Sequence, residues 1–251
     1  MKVSKDDLAF MQILKEKAEA GDVTAMDRYA TFYSQDHPEL LDETTLPTVL
    51  SYFEQAVAAG IPRAALNLGA LYYNGVFVPQ NFKKAIELYT IAAESDETDI
   101  ASIASSNLGY CYYYGRDVEV NYERAFKYFF KSAVFYNDPV ALYKLGDMYL
   151  NGLFVEQDNK MAYKLYLEAE ACANVQDHYA YPDIAKRLAK YMLDPHDSEA
   201  FDPYTALEYL TRAQSILYNK VYKRRDPFAG EVLASVETLI EDAKQWCKEM
   251  Y

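Results

Sequence analysis

Histidine, cysteine and acidic side chains give a chain most of its means of catalysis, and their spacing here sets the first limit. His37 lies far from His178 and His196, and none of the three falls in a His-Glu-x-x-His string, which would put two imidazoles on one helix face for zinc. Cys111, Cys172 and Cys247 are widely separated, with no C-x-x-C pair, so a zinc site of the usual spacing is not expected. An odd count of three also argues against a disulfide framework, and each cysteine fits a small apolar position in a helix. No glycine-rich phosphate loop follows a strand pattern, and with 38 acidic residues carboxylate pairs arise by chance. The expectation is therefore no enzyme, no catalytic residue, no metal and no cofactor. Polar side chains of another kind do recur in register. Arg28, Asn67, Asn107, Lys144 and Arg187 each stand directly before a Leu-Gly, Tyr-Ala or Leu-Ala pair. Such groups bind rather than react: an asparagine amide can form paired hydrogen bonds with a peptide backbone, and arginine or lysine favours a carboxylate.

The elements that must carry this series are repeats. Six of the nine glycines fall into three pairs, Gly69 with Gly75, Gly109 with Gly115 and Gly146 with Gly152, inside the strings AALNLGALYYNG, SSNLGYCYYYG and LYKLGDMYLNG. Gly69 to Gly109 spans 40 positions and Gly109 to Gly146 spans 37. Ala85, Ala125 and Ala162 keep the same two intervals, each followed four residues later by an aromatic, Tyr89, Phe129 or Tyr166. Self-similarity of this kind marks a repeat architecture. Spacings of three and four place the recurring residues on one helical face. Each unit then reads as two helices. Helix A ends at Gly75, Gly115 or Gly152, where a left-handed cap needs no Cβ. Helix B starts after Asn81, Asn121 or Asp158, whose side chains can accept from unpaired amides of the first turn. Gly69, Gly109 and Gly146 lie inside helix A, where glycine costs about 1 kcal/mol against alanine, a cost that a close helix crossing would justify. Tyr72, Tyr112 and Tyr149, one turn on, are expected in the same seam.

Degenerate copies flank the three clear ones. The pattern divides the chain into an N-terminal capping helix at 1–21, a degenerate repeat at 22–60, repeats at 61–98, 99–137 and 138–174, a degenerate repeat at 175–219 and a C-terminal capping helix at 226–251, all within one solenoid domain. Ser4 is the expected cap of the first helix, with Leu8, Met11, Leu14 and Ala18 on one face. Asp226-Pro227 opens the last, with Val232, Val236, Leu239, Ile240, Ala243 and Cys247 inward. The fold class expected is all-α: an α-solenoid of stacked helix-turn-helix repeats, coiled as a right-handed superhelix, with its ends closed by the terminal helices.

Composition agrees with a packed helical protein. Hydrophobic residues make up 51% of 251, tyrosine alone accounts for 25, and there are only nine prolines, so a continuous core is available and disorder is not expected. Lys and Arg number 25 against 38 Asp and Glu, a net charge of −13, which repels nucleic acid phosphates and anionic lipid. No apolar run approaches a membrane span, and the first residues lack the basic-then-apolar layout of a secretory signal. The reading is a reduced, cytoplasmic protein with no nucleic-acid partner and no membrane insertion.

The strings KAEAGDVTA, AVAAGIPRAALNLGALYYNG and FKKAIELYTIAA resemble the Sel1-like repeat, a branch of the tetratricopeptide-like helical hairpins, over roughly residues 17 to 217. The repeats here are longer than the family norm, through insertions such as SDETDI, and lack the cysteine pair found in some secreted relatives. The resemblance implies a non-enzymatic adaptor or scaffold for protein–protein interaction. It also implies that helix A lines a concave groove, with the residue before Leu-Gly pointing into it. On that basis the peptide-binding residues expected are Arg28, Arg63, Asn67, Asn107, Tyr110, Tyr114, Lys144, Asp147, Arg187 and Lys190, with Tyr73, Asn74, Tyr113, Tyr143 and Lys186 nearby. The partner implied is a protein or peptide, acidic or carrying a C-terminal carboxylate. Two other readings stand beside it: a structural subunit that self-assembles through its terminal helices or convex side, and a small-molecule binder or enzyme, which would require a deep pocket with converging titratable groups. The basic run Lys220, Lys223, Arg224 and Arg225 reads as a solvated linker, and Trp246 as a cover over the last repeat.

Overall fold

The computed structural model describes residues 5–175, 179–196, 200–223 and 229–250. The expected caps at Ser4 and Asp226-Pro227, together with His178, Arg224 and Arg225, lie outside them. Twelve α-helices fill the described residues, and no strand occurs among them. In order they are α1 (Lys5–Glu19), α2 (Val23–Thr31), α3 (Leu46–Ala58), α4 (Pro62–Asn74), α5 (Phe82–Ala93), α6 (Thr98–Tyr114), α7 (Tyr122–Tyr136), α8 (Pro139–Asn151), α9 (Asn159–Val175), α10 (Tyr181–Met192), α11 (Pro203–Tyr218) and α12 (Ala229–Glu249). The even-numbered helices from α2 to α10 are the A helices, and α3 to α11 the B helices. The chain clusters into two compact units, residues 1–132 and 133–251, with the division inside α7.

The caps follow the repeat register. Asn81 accepts from Lys84 N at 2.9 Å, Asn121 from Arg124 N at 2.9 Å and Asp158 from Met161 N at 2.8 Å. Asp202 does the same for α11, accepting from Thr205 N at 3.1 Å. The backbone of each cap residue is tied as well. The amides of Asn81, Asn121 and Asp158 donate to the carbonyls of Tyr72, Tyr112 and Tyr149 at 2.9, 2.9 and 3.0 Å, which closes the A-to-B turn identically in three repeats. Helix A ends where expected: Gly115 has φ +66°, and a Cβ there would meet Val120 Cγ2 at 2.9 Å and Val118 O at 3.1 Å.

The first glycine of each pair is explained by an aromatic ring. A Cβ on Gly109 would stand 2.5 Å from Phe129 Cε1, one on Gly69 would stand 2.8 Å from Tyr89 Cε1, and one on Gly146 would strike the Tyr166 ring. The three rings are almost completely buried, so they have nowhere to retreat. Glycine therefore lets the ring of helix B lie directly on the backbone of helix A. In the first unit Phe53, Leu68, Tyr89, Leu108 and Phe129 form the core, and in the second Met148, Tyr166, Ile184, Leu188, Leu210 and Val236 do. Small residues at 0% exposure, such as Ala85, Ala125, Ala162 and Ala206, set the close helix spacing. The terminal helices follow their expected faces with two differences. Leu14 and Ala18 of α1 are buried but Leu8 is 46% exposed, while Leu233 joins Val236, Ile240 and Ala243 on the buried side of α12. Trp246 packs edge-on against Phe201, 5.4 Å between ring centres.

Candidate functional site

The residue before the Leu-Gly pair has a consistent neighbour. Asn67 Nδ2 of α4 donates to Thr31 Oγ1 of α2 at 3.0 Å. In the second unit Arg187 of α10 reaches Asp147 of α8 through Nε at 2.6 Å and Nη2 at 2.7 Å. Thr31 and Asp147 stand three residues beyond the corresponding position of the preceding repeat, Arg28 and Lys144. In these two cases the polar side chain bridges back to an acceptor on the previous A helix. Asn107 has none: the matching residue on α4 is Ala70. Its half-buried amide makes no side-chain hydrogen bond among the described residues.

In the first unit Arg28 is exposed, and Arg63 donates through Nε to Asp27 Oδ2 at 3.2 Å. Asp27 is only 1% exposed, and its Oδ1 has no partner. Burial pushes its carboxyl above the ordinary 3.8, with Arg63 and Arg28 opposing and Glu97 reinforcing the rise. Tyr110 and Tyr114 of α6 stack at 5.9 Å and 14°, and Arg116 lies 5.6 Å over the Tyr114 ring and 5.4 Å over Phe82. Tyr114 is 47% exposed. Ile103, which sequence reading missed because isoleucine at a helical spacing normally reads as core, is 50% exposed. Residues 103, 107, 110 and 114 follow the spacing of one helix face. That face of α6 thus offers an apolar side chain, an unspent amide and an aromatic pair.

In the second unit the expected groove residues converge on one carboxylate. Asp147 accepts the two-pronged guanidinium of Arg187, the Tyr166 hydroxyl at 3.0 Å, and an ion pair from Lys144 Nζ at 3.5 Å. Lys144 is 5% exposed. Burial works against the Arg187 charge, but the hydrogen bonds and charge of Asp147 outweigh it and hold the guanidinium above its ordinary value. The Arg187 guanidinium also lies 4.4 Å over the Tyr143 ring. Beside this hub α8, α9 and α10 enclose a cleft of about 610 Å³, with Lys190, which is exposed, on its wall.

Of the other reactive side chains, Cys172 and Cys247 are only half-buried, more open than the core positions expected of them. Cys111 is buried, and burial pushes its thiol up to about 12, which leaves it protonated and inert. No group of three metal-ligating side chains occurs among the described residues, and no helix there is long and apolar enough to cross a membrane. Lys220 donates to Tyr179 O at 3.1 Å, which ties the start of the basic run to the repeat.

The Sel1 repeat profile matches residues 62–97, 102–133 and 139–174. No curated protein matches the sequence. Among solved structures, a Sel1 repeat protein from Oxalobacter formigenes is similar at TM-score 0.60 and 19% identity, over 89% of this chain and 88% of that one. The protective antigen c5321 of uropathogenic Escherichia coli, described as displaying an SLR fold, is similar at TM-score 0.58 and 22% identity, over 94% of this chain and 56% of that one. Both likenesses are of fold. Sel1 repeat proteins are generally non-enzymatic scaffolds for protein–protein interaction. The chain thus carries three Sel1 repeats, in the register of the caps and seam glycines.

Proposed function

We propose that the protein is a cytoplasmic, non-enzymatic adaptor that binds a peptide or protein partner on the faces of its A helices. The observation that carries this reading is the α6 face. Asn107 retains an unpaired, half-buried amide beside the stacked Tyr110–Tyr114 pair and exposed Ile103. A half-buried amide without a partner gains a peptide backbone at little desolvation cost, and stacked tyrosines give contact area with little entropy to lose. Arg28, Arg63 and Asn67 extend this surface within the first unit. In the second unit Lys144, Asp147 and Arg187 brace the A helices, and Lys190 is the cation left to meet an acidic residue or a C-terminal carboxylate.

The test is affinity capture from native lysate with parent protein and with the Asn107→Ala and Tyr114→Ala variants, followed by calorimetry on the captured partner. We expect both variants to stay folded and to weaken binding about tenfold each. Unchanged affinity in both would remove the α6 face from the account. A second reading is favoured by α1, whose Leu8, Phe10 and Ile13 are about half exposed. It makes the chain a self-assembling subunit, and a dimer or larger species in light scattering at micromolar concentration would support it.

A further inference from the structure

The cleft of the second unit has a lining of which the adaptor reading uses only Lys190. Its walls carry Lys186, Arg187 and Lys190 against Asp147 and Asp194, an excess of positive charge in a protein of net charge −13. These groups are not equivalent. Arg187 is largely committed: three of its five N–H donors are used, Nε and Nη2 on Asp147 and Nη1 on Asp183 O at 2.9 Å. Asp147 is likewise filled by Arg187 and Tyr166. The pair therefore forms a fixed floor to the cleft. Asp194 is partly occupied, accepting from His196 N at 2.9 Å.

The two lysines are left. They stand one turn apart on α10. The ion pair of Lys186 with Asp183 is long, at 3.9 Å, and Lys190 forms none among the described residues. Burial depresses the Lys186 ammonium, Asp183 opposes that, and the neighbouring charges of Arg187 and Lys190 add to it. An anion between two such lysines would relieve both the desolvation and the like-charge repulsion. The rest of the cleft fits an organic ligand rather than a bare ion. Leu150 and Tyr191 give it apolar sides, and Tyr191 is held in place by stacking on Tyr163 at 4.4 Å and 8°. The exposed Asn159 amide lies at its edge. A volume of about 610 Å³ lies within the ordinary range for small-molecule sites.

We infer that this cleft binds a small organic anion, with carboxylate or phosphate oxygens on Lys186 and Lys190 and its carbon skeleton against Leu150 and Tyr191. The site shares Lys190 with the proposed partner surface and no residue with the α6 face, so titration with a small anion tests it apart from the Asn107 and Tyr114 variants.

The experiment is calorimetric titration of the full chain with succinate and, separately, with glycerol 3-phosphate, at low ionic strength and against sodium chloride of matched ionic strength. The variants are Lys186→Met, Lys190→Met and, as control, Lys127→Met on the exposed side of α7. Saturable binding of either probe is expected, at a Kd of roughly 1 mM or tighter, and the probe that binds decides between the two oxyanions. Each cleft variant should weaken it about tenfold and Lys127→Met should leave it unchanged. Lys190 is exposed, so its replacement tests the site without endangering the fold. No saturable binding by either probe, or equal weakening by Lys127→Met, overturns the inference.

Discussion

At the scale of single residues, Gly109 and Asp27 give the sharpest tests of the packing. A methyl group on Gly109 would lie 2.5 Å from a Phe129 ring that is 0% exposed. Gly109→Ala should therefore destabilise the protein by about 2 kcal/mol, although alanine is the better helix former. A Cβ on Gly230 meets nothing within 4 Å, so Gly230→Ala should leave stability unchanged or raise it by up to about 1 kcal/mol. Urea unfolding of the two variants checks this, and equal midpoints would contradict the seam. Asp27 makes a pH-dependent counterpart. Its folded carboxyl titrates above the ordinary 3.8, so between those two values the folded state holds the proton more tightly than the unfolded one. Stability from this group is present at low pH and falls as pH rises through the folded value. Asp27→Asn removes that loss. The stability of the variant relative to the parent should climb across this window and then level off. Denaturation curves at pH 4, 5.5 and 7 decide it, and a difference independent of pH would mean that Asp27 does not titrate as described.

The elements were largely legible in the sequence, because their boundaries are set by local chemistry. Asn81, Asn121 and Asp158 precede the first turns of α5, α7 and α9 at a fixed distance from Ala85, Ala125 and Ala162, and each side chain forms the cap that its position requires. Asn121→Ala and Asn81→Ala should each cost about 1 kcal/mol, and a loss of less than a few tenths would show that the caps are incidental. What lay between elements was not legible. The sequence shows Gly109 and Phe129 at regular intervals, but not that the ring is what forbids a side chain on the glycine. Arg187 reads as a residue offered to a ligand, yet a carboxylate 40 positions earlier takes its guanidinium, and Lys144 is drawn into the same cluster. That pairing depends on how successive A helices lie against one another. The same packing leaves Asn107 unpaired, because a single alanine, Ala70, stands where an acceptor would be needed.

For the whole molecule, the repeat places polar side chains at one register on successive A helices and satisfies some of them internally. The surface that remains is the proposed partner site. Tyrosine makes this measurable, since 25 of them report on both faces of the hairpins. Hydroxyl-radical footprinting of the protein, alone and saturated with its captured partner, reads their accessibility directly. Exposed Tyr114, with Tyr110 beside it, should lose reactivity in the complex, while Tyr204 of α11 and Tyr222 in the segment after it, at 44% and 72% exposure, keep theirs. Unchanged Tyr110 and Tyr114 with protection at Tyr204 or Tyr222 would contradict this, and would move the partner to the B helices and the segment that follows them.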